Sequence, residues 1–121
     1  GVEVYEGRVL LTGASKNNSV TDKAVRLSWT IDGVKDVINE IQTHNSTSII
    51  DFSKASWITA QMRSRLTFDM NVYSINYSIE TVNGTVYLIG IAQDEVEHNI
   101  VKQYASQIKF VNRVISHVRI K

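Results

Sequence analysis

The side chains best able to do chemistry in this sequence are three histidines, a short run of carboxylates and a scatter of serines. Their spacing argues against a reaction centre. His44, His98 and His117 fall in a polar linker, at a helix start and in a strand, at separations that suit no zinc site; all three are expected at the surface. Asp94, Glu95 and Glu97 cluster where a helix begins, and the positive end of the helix dipole is reason enough for carboxylates there. No serine stands in motif context with a histidine and an acid. The glycines of "YEG" and "VNG" lack the GK[ST] or GxGxxG company of a phosphate loop. The absence of cysteine removes disulfides, thiolate metal sites and cysteine nucleophiles together. The expectation is a chain without enzymatic activity, metal or cofactor.

The informative chemistry is that of a surface. The stretch "ASWITAQMRSRLTFD", residues 55–69, reads as one helix. At about 100° per residue, Ile58, Met62 and Leu66, with Ala55, fall within about 80° of one another and form the stripe that packs on a sheet. Trp57 and Phe68 point about 135° away from that stripe and close to each other in azimuth, while Lys54 and Arg65 fall between the two directions. Large rings beside cations on a solvent-facing strip suit an interfacial helix: the rings enter the headgroup boundary and the cations meet phosphate. One buried ring contributes about 2 kcal/mol and each cation about 1 kcal/mol at an anionic surface. That supports reversible attachment, and a second signal such as a lipid anchor is needed for stable residence. The candidate lipid-binding set is Lys54, Trp57, Ile58, Gln61, Met62, Arg63, Arg65, Leu66 and Phe68.

The elements that must position this helix emerge from an internal repeat. The chain has 121 residues, 43% of them hydrophobic, and a net charge of +1, enough for one ordinary domain or two very small ones. "VEVYEGRVLLTG" ending at Gly13 resembles "IETVNGTVYLIG" ending at Gly90, an offset of 77 residues that continues without a gap into "KDVINEI" and "NRVISHV". In each copy, alternating residues flank "EG" or "NG", a hairpin turn. Val2, Val4, Val9 and Leu11 alternate in the first copy, and Ile75, Tyr77, Ile79, Val86 and Leu88 in the second.

A helix follows each hairpin, carried by Val20, Ala24, Leu27 and Ile31 in one copy and by Val101, Tyr104, Ala105 and Ile108 in the other. Ser19 with Asp22 and Asp94 with Glu97 resemble capping boxes at the helix starts. A third strand closes each copy. The boundaries expected are a first module over 1–42, a linker over 43–53 and a second module over 54–121. The first module lacks the leading helix of the second, so the uncovered part of its sheet is expected to be covered by the other copy, another chain or upstream residues. Residues 43–121 hold eight Lys/Arg against six Asp/Glu, making the later part mildly cationic.

The order helix, strand, strand, helix, strand, with "SWIT" and "RSRL" in the leading helix, "VNGTVYLIG" at the hairpin and "VNRVISHVRI" at the close, resembles the BON domain. "GRVLLTG" and "DGVKDVINEI" carry the resemblance in the first copy. It implies an α+β fold of two tandem BON modules, each a three-stranded mixed sheet with helices on one face. Tandem modules in this order look like the dual-BON outer-membrane lipoproteins and osmotically inducible periplasmic proteins. That likeness implies phospholipid binding rather than catalysis, with the leading helix of the second module meeting anionic lipid. It also implies a periplasmic, outer-membrane-associated location through an N-terminal anchor outside this chain, and a role in membrane integrity. The expected partner is an anionic phospholipid membrane and not nucleic acid. A homo-oligomeric or envelope-protein partner is the alternative.

Overall fold

The computed structural model describes residues 1–43 and 49–121, so His44 and residues 44–48 of the expected linker lie outside the described residues. The chain divides into two compact units, residues 1–48 and 49–121. In the first, β1 (Val2–Tyr5) and β2 (Arg8–Ser15) form a hairpin, α1 (Asn18–Trp29) crosses over, and β3 (Asp36–Thr43) returns parallel to β2. A parallel return needs such a crossover, because a two-residue turn can join only antiparallel strands. Glu6 and Gly7 both take positive φ, 50° and 80°, so the turn is of the type whose twist matches that of the strands. Asn17, not Ser19, caps α1: its side chain accepts the Val20 N–H at 3.1 Å, and the Ser19 hydroxyl donates to the same carbonyl at 2.7 Å.

The second unit repeats that topology behind an additional helix. It runs α2 (Ile49–Phe68), a single 3₁₀ turn at Ser74–Asn76, β4 (Tyr77–Val82), β5 (Thr85–Ala92), α3 (Glu95–Gln107) and β6 (Arg113–Ile120). The strand order β4-β5-β6 and the mixed pairing match the first sheet, and Asn83 and Gly84 repeat the turn at φ 50° and 79°. Two expectations are corrected. Residues 49–53, assigned to a linker, form the first turns of α2, with Asp51 suitably placed at the positive end of the helix. Ile75, assigned to a strand, lies in the 3₁₀ turn and is exposed, because β4 begins only at Tyr77.

The core of the second unit lies between its helices and one face of its sheet. Ile58, Met62 and Leu66 of α2 meet Val101 and Ala105 of α3, Ile108 just beyond it, and Ile79, Val86 and Leu88 of the sheet. Asp94 caps α3 as expected, accepting the Glu97 N–H at 2.8 Å. Glu97 does more than complement the helix dipole: it is buried, and its carboxylate accepts the Tyr77 hydroxyl and the Gln93 amide. The first unit differs most in its helix. Val20, Leu27 and Ile31, read as the apolar stripe of this segment, are 58%, 55% and 62% exposed, while Thr21 and Ser28 are the buried positions of α1.

Candidate membrane-docking site

Positions 58, 62 and 66 recur every four residues, so they hold one side of α2 against the core. Their exposure of 0%, 0% and 1% removes Ile58, Met62 and Leu66 from any surface that could touch lipid. These three members of the candidate set instead fix the azimuth of the helix. Trp57 and Phe68 then face outward, at 43% and 83% exposure. At about 1.5 Å rise per residue they stand about 16 Å apart along the axis. Gln61, half-buried, lies between them on the same side. Past the helix end the apolar exposure continues through Met70, Tyr73 and Ile75. From Phe52 to Phe68 the sequence contains Lys54, Arg63 and Arg65 and no carboxylate.

The cations do not form one group. Arg63 lines a shallow pocket of about 160 Å³ with Leu66, Thr67, Ser74, Ile75 and Ile79. That is the other flank of α2, about 120° around the helix from Trp57 at 100° per residue. Arg65 stands near Tyr104, whose hydroxyl donates to Asp69. That hydrogen bond raises the Tyr104 pKa, with Arg65 opposing the rise, and holds the Asp69 carboxyl below its ordinary value. Of these three α2 cations it is Lys54 that lies at the Trp57 end, its Nζ 4.8 Å from the centroid of a ring that sequence reasoning did not single out, that of Phe110.

Phe110 is the centre of this end of the unit. Its ring meets Trp57 edge-on, with centroids 5.9 Å apart and planes at 73°, a favoured arrangement for aromatic pairs. The Lys109 Nζ lies 5.0 Å from the same centroid. The backbone of Phe110 has φ +75°, a left-handed conformation that costs a bulky residue about 1–2 kcal/mol. The turn is held because the Asn112 N–H donates to the Gly84 carbonyl at 2.7 Å, as the Lys35 N–H does to the Gly7 carbonyl at 2.7 Å in the first unit. Gly33, 77 residues earlier, takes the matching φ of +85°. The replacement of that glycine by phenylalanine was a signal open to the repeat alignment.

Elsewhere the residues read for chemistry serve structure. His98, expected at the surface, is mostly buried and within hydrogen-bonding distance of Ser116 Oγ at 2.7 Å; burial first, then the Lys102 charge, lowers its pKa. His117 is half-buried in β6. Among the described residues no three His, Asp or Glu side chains are grouped to hold a metal, and no helix is long and apolar enough to cross a membrane.

The fold and the repeat define a class of protein. The BON domain model matches residues 1–45 and 54–121, and the chain belongs to the BON domain family. It is 42% identical over 121 residues to the "uncharacterized protein in gshII 5'region" of Anaplasma centrale, covering 99% of this chain and 80% of that one. It is 36% identical to the outer membrane lipoprotein DolP of Haemophilus influenzae, over 92% of this chain and 57% of the relative. The 21 kDa hemolysin of Actinobacillus pleuropneumoniae is 32% identical, over 94% of this chain and 58% of its own. The chain thus spans little more than half the length of the latter two.

Proposed function

We propose that this chain is a non-enzymatic protein of the bacterial envelope that docks on anionic phospholipid surfaces through α2, at the periplasmic side of the outer membrane, and supports the integrity of that membrane. The observation that carries the reading is the exposure of Trp57 and Phe68 on the side of α2 that the core does not use, along a 17-residue stretch, Phe52–Phe68, with three cations and no carboxylate. Rings of this kind enter the headgroup boundary, and the positive charge lowers the energy of the bound state on an anionic surface. The likeness to DolP, an outer membrane lipoprotein, supports the compartment. Trp57, Phe68, Lys54 and Arg65 are the contact residues, with Gln61 between them. Ile58, Met62 and Leu66 hold the helix from beneath, and Arg63 lies on its other flank.

Vesicle flotation tests this. Binding is expected to vesicles containing phosphatidylglycerol, to weaken from low to high salt as exposed charges are screened, and to fall about tenfold in Trp57→Ala, equivalent to about 1.4 kcal/mol. Equal flotation with purely zwitterionic vesicles, or undiminished binding by a folded Trp57→Ala, sinks the proposal. Either result leaves the strip to a protein partner or a second copy, which concentration-dependent mass measurement distinguishes.

A further inference from the structure

The Lys109–Phe110 turn has no counterpart in the expected lipid-binding set, yet it completes the exposed end of the unit. Three observations converge on it. The backbone requires a left-handed residue at this position in both units, and the first unit uses glycine there. The Phe110 side chain is therefore unnecessary for the turn. The residue is 43% exposed, so a place in the sealed core does not account for it either. What the ring does contact is Trp57, with the ammonium groups of Lys54 and Lys109 at 4.8 Å and 5.0 Å from its centroid.

We propose that this turn is a second inserting element: Trp57 and Phe110 enter the headgroup boundary as one paired tip, and Lys54 and Lys109 together hold the phosphate of an anionic phospholipid. The inference rests on the membrane-docking reading of α2 and extends it from one helix to two elements. Both ammonium groups lie within 5.0 Å of one ring centroid. Each sits on a flexible four-carbon stem, so both can turn toward one phosphate held beside the ring and donate charge-assisted hydrogen bonds of about 2.8 Å. Two positive charges around one ring also repel, and an anion between them relieves the repulsion, so the arrangement favours the bound state over the free one. A lipid is favoured over a soluble phosphate because the rings beside the cations are apolar and exposed, and a soluble ion leaves them in water.

The test uses the whole chain and vesicles of phosphatidylglycerol in phosphatidylethanolamine. Phe110→Gly installs the residue that the first unit carries at the same φ, so the variant is expected to fold with an unchanged or higher melting temperature while its vesicle affinity falls at least fivefold. Lys109→Gln is expected to lower affinity twofold to fivefold and to make binding less sensitive to salt, because one cation fewer meets the screened potential of the anionic surface. If Phe110→Gly and Lys109→Gln bind like the parent while Trp57→Ala loses binding, the two-element site is wrong and the single-helix reading stands. If Trp57→Ala also binds like the parent, both fall. Competition by inorganic phosphate at concentrations that leave ionic strength unchanged would overturn the lipid assignment.

Discussion

The two units of this chain share one backbone plan and differ in what that plan covers. Both have a hairpin on a two-residue turn of positive φ, a crossover helix and a parallel third strand, in matching register. In the second unit α2 packs on β4 and α3, and the side chains beneath it are sealed. In the first, the positions equivalent to Ile79 and Ile108 are Val2 and Ile31, and these are 64% and 62% exposed where the later pair is 2% and 3% exposed. Repetition of sequence thus reproduces strands and turns, which depend on local chain geometry. It reproduces burial along the central strands, where Val9 and Leu11 are as sealed as Val86 and Leu88, but not at Val2 and Ile31, where burial depends on a neighbouring element.

The largest effect that can break this comparison is in the helices. Met62→Ala removes a fully buried side chain and is expected to cost about 2–5 kcal/mol. Leu27→Ala, at a site 55% exposed, is expected to cost less than about 1 kcal/mol. Urea unfolding of both variants checks this, and equal losses would mean that the face of α1 is covered in solution.

A second contrast concerns matching glycines. A methyl group at Gly90 would stand 2.0 Å from the Asn76 carbonyl oxygen, whereas at Gly13 the nearest atom is the Gly1 nitrogen at 3.8 Å. Both have positive φ, 151° and 133°. Gly13→Ala should therefore cost about 1 kcal/mol, from backbone strain alone, and Gly90→Ala more than about 2 kcal/mol because the 3₁₀ turn must also shift. Melting temperatures of the two variants, ranked the other way, would contradict the close approach of that turn.

The smallest effect is a dependence on pH that centres on His98 in the second unit. His98 occupies the position of Thr21, and the groups that face it are Ser116, Glu95 and Lys102. Its folded pKa is depressed below 6.5, so the neutral ring is the stabilised form. That contribution is present above pH 6.5 and is lost as pH falls through the folded value. Unfolding midpoints are therefore expected to fall on acidification below about pH 6.5, and His98→Thr should flatten that part of the profile. An unchanged slope in the variant would place the acid sensitivity elsewhere.

Much of the fold was legible because its signals are local. "EG" and "NG" between alternating runs define the hairpins, and the gapless offset of 77 residues carries the third strands into place. The azimuth of Trp57 away from Ile58, Met62 and Leu66 follows from helical periodicity, and the structure has the same division. The α2 start was less legible: "IIDFS" lacks the pattern that marks the later turns, and its helical state shows only in the folded unit. The cap of α1 was misplaced by two residues because Asn17 and Ser19 are both competent capping types.

Sequence by itself determined the hairpin turns and the two-sided character of α2, since each is set by residues within a few positions of one another, and it showed the repeat through the constant offset of 77 residues. Only tertiary structure decided that Glu97 is buried, that His98 reaches Ser116 and that Phe110 meets Trp57. Those pairings join positions far apart along the chain, and their geometry exists only once the crossover helix has been laid on the sheet beside α2.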